Sequence, residues 1–205
     1  MLRLGGALLR RGNLAWGAGL LAYAVASGAL AWGSAHGWDR TSFRVYYLAG
    51  GLLTAPLLGV GSLLIARQRW AAPAGLFYAG LAAGIALTMQ VHGSFGTAIP
   101  SAQDHLTSLP RAVAIAGNAA GTLAVIGVAL ATFRSRWLGN TFLLAGIGAA
   151  ALGSALAGTG TGAASSFAAV AAVLLYLGVA PPSSRTWLAV GERGSRARFR
   201  PARRP

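Results

Sequence analysis

Residues 111–133 read Arg-Ala-Val-Ala-Ile-Ala-Gly-Asn-Ala-Ala-Gly-Thr-Leu-Ala-Val-Ile-Gly-Val-Ala-Leu-Ala-Thr-Phe. After Arg111 the stretch carries no charge, and at 1.5 Å per residue its length matches a bilayer core of about 30 Å. It lacks the two-residue alternation of a barrel strand and is too long for one. Five further apolar segments of this kind occur, at about 13–35, 44–66, 71–91, 137–158 and 163–180. The expected fold is all-α: a six-helix transmembrane bundle over 1–180, followed by a basic cytoplasmic tail over 181–205.

Composition points the same way. Of 205 residues, 55% are hydrophobic and only 10% charged, with a mean hydropathy of +0.60. A soluble domain carries about 25% charged residues, so there is too little polar surface here to cover a water-exposed globule. The low hydrophobicity of a disordered chain is absent as well. Without cysteine there are no disulfides, thiolate metal sites or cysteine nucleophiles.

Charge sets the orientation. All 17 basic residues are arginines, against 3 acidic ones, giving a net charge of +14. With a cytoplasmic N-terminus, fourteen arginines fall inside and only Arg40, Arg44 and Arg111 fall outside. The reverse topology inverts the positive-inside rule, so both termini are expected in the cytoplasm. Arg3, Arg10 and Arg11 before an apolar run ending Ala29-Leu30-Ala31 imitate a signal peptide. The run exceeds the usual h-region of about 7–15 residues, which predicts a retained first helix. Trp70 and Trp137 each follow an arginine pair at an inner turn, while Trp32, Trp38, Phe43, Tyr46 and Tyr47 gather at the outer boundary. Such rings favour the headgroup level. Arginine-only, Ala- and Gly-rich usage matches a high-GC bacterial genome, hence the bacterial cytoplasmic membrane.

Helices in lipid associate through close backbone approach, so small residues mark their contact faces. Gly80 and Gly84 form one GxxxG, and Gly117 and Gly121 another; Gly153 lies in a four-spaced series with Ala145, Ala149 and Ala157. Asn118 reads as interhelical glue. Pro56, close to Gly59 and Gly61, predicts a kink and a candidate hinge in the second helix.

Chemistry is scarce. Asp39 and Asp104 fall in outer loops and Glu192 in the tail, so no carboxylate sits at membrane depth to drive a proton-coupled carrier. His36, His92 and His105 are predicted on the outer side, the first two at similar depth. Facing imidazoles there would suit haem, and three with a carboxylate Zn or Cu, although the spacing matches no metal motif and ordinary loop histidines are the plainer reading. The cofactor stays unknown, and no catalytic set is present, so an enzyme is not expected. Gly158-Thr159-Gly160-Thr161-Gly162 lacks the lysine and strand context of a phosphate loop and reads as a turn. Arg67-Gln68-Arg69-Trp70 and Arg134-Ser135-Arg136-Trp137 echo each other, as arginine–tryptophan inner turns generally do.

In the tail, Arg193, Arg196, Arg198, Arg200, Arg203 and Arg204 surround Phe199. At about 1 kcal/mol each, they are expected to hold the arm on the anionic inner leaflet. No folded reading element accompanies them, so nucleic acid is not an expected partner.

The stretch Phe43-Arg44-Val45-Tyr46-Tyr47-Leu48-Ala49-Gly50, followed by Pro56 and Gly61, resembles an uncharacterised family of actinobacterial polytopic membrane proteins. The Gly139-Asn140 step opening the fifth segment is similar too, so the resemblance covers about 40–180. It implies no activity. The function expected is a non-enzymatic accessory or scaffold subunit packing against other membrane subunits or itself. The alternatives are a small transporter or channel for a neutral or lipid-like solute, gated near Pro56, and an outer-face haem or metal protein.

Overall fold

The computed structural model describes residues 2–96, 98–156 and 163–179. Its elements are α1 (Leu2–His36), α2 (Arg40–Tyr46), a π-helical stretch (Tyr47–Thr54), α3 (Ala55–Ile65), α4 (Ala71–Thr88), the single turn α5 (Ala102–His105), α6 (Ser108–Ala131), α7 (Trp137–Leu156) and α8 (Ala163–Val179). Among the described residues four stretches are long and apolar enough to cross a membrane: Arg10–His36, Arg40–Ile65, Ala71–Thr88 and Ser108–Ala131. The last two expected spans are helical, and within their described residues the apolar stretches are Trp137–Gly153 and Ser166–Gly178.

Local signals explain where the boundaries depart from expectation. The first helix starts at Leu2, so Arg3, Arg10 and Arg11 lie on it and not in a leading loop. It is followed at once by Gly37 (φ +89°), a left-handed position suited to glycine. Asp39 then starts α2 four residues before the expected entry. Its carboxylate accepts the Ser42 N–H at 2.6 Å, and its own N–H donates to the Ser42 hydroxyl at 3.0 Å, a reciprocal cap. The fourth apolar segment was expected from Arg111, but α6 starts at Ser108 and takes Pro110 into its first turn, where no intrahelical donor is required. The connection between α4 and α6 folds through α5 and an antiparallel bridge between Val91 and Leu106.

The tertiary contacts fix how the helices run. A side chain on Gly12 would strike Ile65, one on Gly19 would strike Leu58, and Gly50 faces Ala26, so α1 runs antiparallel to α2–α3. Tyr47, Gly51 and Gly59 meet Pro110, Asn118 and Gly121 in ascending order, so α3 and α6 are parallel. Gly139 and Gly146 meet Gly178 and Leu175, making α7–α8 an antiparallel hairpin. One end of the bundle therefore gathers Trp16, Ile65, Ala66, Thr132, Arg136 and Gly178 around a small cavity. The opposite end holds the largest apolar cluster, built on Trp38, Phe43, Met89, Val91 and Leu106. Meanwhile Leu76, Phe77, Leu87, Ile115 and Leu123 point outward and are all more than 65% exposed. A helical surface that apolar is matched to lipid and not to water.

Candidate functional site

The most unusual backbone in the chain precedes Pro56. A regular kink was expected there; instead the eight residues Tyr47–Thr54 form π-helix. Proline has no N–H, so in the π pattern the carbonyl five residues earlier, at Gly51, loses its donor. Asn118 of α6 supplies the replacement, its Nδ2 donating to the Gly51 carbonyl at 2.9 Å. One turn away, the Thr54 hydroxyl donates to the Ala49 carbonyl at 2.8 Å. The expected interhelical role of Asn118 is therefore seen, and its purpose is specific: it satisfies the backbone that Pro56 leaves open.

Close glycine crossings support this region. The Gly121 Cα lies where a Cβ on Gly59 would come within 2.6 Å, and a Cβ on Gly121 would strike the Ala55 carbonyl. Gly117 does something different. It leaves room for the Tyr78 ring, whose hydroxyl donates to the Val113 carbonyl at 3.3 Å. Gly153 is buried in α7. Gly80 and Gly84 have open space where a side chain would go, because α4 packs inward through Ala71, Gly75, Ala82 and Ile85. Gly12, Gly19, Gly33 and Gly61 also make tight contacts that the four-residue spacing did not flag; their partners are the large side chains Ile65, Leu58, Trp38 and Trp16.

Between α1, α2, α6 and the α7–α8 hairpin lies a cavity of about 550 Å³. It exists because α7 and α8 pack mostly on each other and touch α1 and α6 only sparingly. The Tyr23 hydroxyl is one of the few ties, donating to the Ala168 carbonyl at 2.6 Å. Alanine, glycine and branched aliphatic residues form most of the lining, and among the described residues no charged side chain belongs to it.

The three histidines are not gathered into one site. His36 ends α1 and stacks on Trp32 at 4.1 Å. His105 is buried between Phe43 and Phe95, with its Nδ1 2.7 Å from the His92 carbonyl. His92 therefore meets His105 through its backbone, and its N–H donates to the His105 carbonyl at 3.0 Å. Among the described residues no three His, Asp or Glu side chains are grouped to hold a metal ion. Nearby, Arg44 donates from Nη2 to the Met89 carbonyl at 2.8 Å, while its Nε and the Trp38 Nε1 are buried without a hydrogen-bond partner among the described residues. At the rim, the Ser42 backbone N–H, and then the Ser42 side chain, hold the Asp39 carboxyl below its ordinary range.

Asn140 was read only as a helix-opening residue. It is buried, and its Nδ2 donates to the Ala129 carbonyl (2.9 Å) and to the Thr132 hydroxyl (3.0 Å), fastening the α6–α7 turn. Ala157, the Gly158–Gly162 stretch, Glu192 and the six tail arginines lie outside the described residues.

No protein-family model matches the chain, and no curated protein or solved structure is similar to it. What fold and site define is a class: an all-α protein with four helices able to span a membrane and a neutral cavity among them.

Proposed function

We propose that the chain is a six-span, non-enzymatic protein of the bacterial cytoplasmic membrane, serving as an accessory or scaffold subunit that packs against another membrane subunit or a second copy. The observation that carries this is the outer face of α4. Gly80 and Gly84 stand there with nothing within 4 Å of an added Cβ, between exposed Leu76, Phe77, Leu81 and Leu87. The other GxxxG, at Gly117 and Gly121, is spent on contacts inside the chain; this one is free to receive a helix at close range.

The proposed orientation puts both termini inside. It draws support from the end of the bundle that carries Arg67, Arg69, Arg134 and Arg136, against Arg40, Arg44 and Arg111 at the other end. The tail arginines Arg193 to Arg204 would then lie on the anionic inner leaflet, with no role in nucleic-acid binding. Membership of the uncharacterised actinobacterial family belongs to the same proposal and brings no activity with it.

The test is purification of the full chain from membranes in mild detergent, beside the Gly80→Leu, Gly84→Leu double variant. The wild type is expected to carry a stoichiometric partner or to run as an oligomer. The variant is expected to lose it at unchanged helicity, because both positions have room for a side chain. A wild type that is a lone monomer, both in detergent and after crosslinking in native membranes, overturns the proposal.

A further inference from the structure

The 550 Å³ cavity lies within the size range of small-ligand sites, about 300–1,000 Å³, and is too small for a two-chain phospholipid. Its walls are apolar except at a few points. Ser27 on α1, Tyr46 on α2 and Thr122 on α6 line it, and none of their hydroxyls has a hydrogen bond among the described residues. Tyr46 packs against the cluster of Ala22, Ala26 and Ala49, and Ala26 directly precedes Ser27 on α1, so Tyr46 and Ser27 line the same side of the cavity. Across from them, Asn118 and Thr122 are one turn apart on α6, and the Asn118 amide nitrogen is already committed to Gly51, leaving its oxygen as an acceptor. Three hydroxyls and a carbonyl oxygen in an apolar cavity are costly unless something pairs with them. Among the described lining residues no side chain is charged, so a carboxylate or phosphate would enter uncompensated.

We propose that this cavity binds one neutral single-chain lipid, its hydroxyl- or ester-bearing head held by Tyr46, Ser27 and Thr122 and its chain lying along α6 and the α7–α8 hairpin. The proposal stands apart from the partner-binding reading, because no residue of α4 lines the cavity. The outward Gly80 and Gly84 can therefore be altered without touching it.

Delipidated full-length protein in nanodiscs of a two-chain phospholipid is titrated with a monoacylglycerol, and separately with the fatty acid of the same chain at a pH where it is ionised. Saturable binding of one monoacylglycerol per chain is expected, with the ionised acid at least tenfold weaker. Tyr46→Phe and Thr122→Val each remove a hydroxyl and are expected to weaken binding by roughly fivefold, the usual worth of one hydrogen bond. Ala151→Phe, at an exposed position of the lining, is expected to narrow the cavity and weaken binding. Three outcomes overturn the inference: no saturable binding, which leaves the space to water or to the chain's own residues; equal affinity for the ionised acid; or affinity unmoved by all three variants. Should Ala151→Phe fail to fold, the two hydroxyl variants decide the matter.

Discussion

Asn118 shows how much one polar side chain in a helix can carry. Its bond to Gly51 replaces a donor that Pro56 cannot supply, so the two residues are energetically linked although they lie on different elements. Asn118→Leu leaves the Gly51 carbonyl unpaired and is expected to destabilise the protein by about 1–3 kcal/mol. Pro56→Ala restores an N–H at the position that Gly51 needs. The double variant should then lose less than the sum of the two singles, by about 0.5 kcal/mol or more. Unfolding of the four proteins in one detergent measures the coupling, and strict additivity would refute the link.

At the scale of elements, the crossing of α3 over α6 is set by the absence of side chains. A Cβ on Gly121 meets the Ala55 backbone and one on Gly59 meets Gly121, so neither can be accommodated by a rotamer change. Gly121→Ala and Gly59→Ala are each expected to cost about 1–3 kcal/mol, the range for overpacking a filled interior. Gly80→Ala, with open space around it, should leave the unfolding midpoint where it is. If all three behave alike, close approach is not what holds these helices.

For the whole molecule, the proposed orientation makes a prediction that reporters can read. A fusion after Arg204 should be active only on the cytoplasmic side, and one inserted near Gln103, in the short α5, only on the outer side. Activity on the opposite side at either site removes the orientation, and with it the placement of the tail on the inner leaflet. The all-α fold would stand regardless, because the helices and their contacts do not depend on which way the bundle faces.

The helical class, and four of the six expected spans, were legible along the chain because hydrophobic runs and helix rise are local properties. Spacing marked Gly80, Gly84, Gly117 and Gly121 alike as small-residue faces. Which GxxxG turns inward was not legible: Gly80–Gly84 and Gly117–Gly121 are the same pattern, and only the positions of Tyr78 and Ala55 separate them. Pro56 announced a disturbance, but its form as a π-helical stretch depends on a donor arriving from residue 118. The histidines shared a side in the sequence-based topology, yet their side chains part company because Trp32 takes one and Phe43 and Phe95 take another. The cavity had no sequence signal at all. It arises from how sparingly the α7–α8 hairpin touches α1 and α6, and a gap between elements belongs to their packing and not to any one of them.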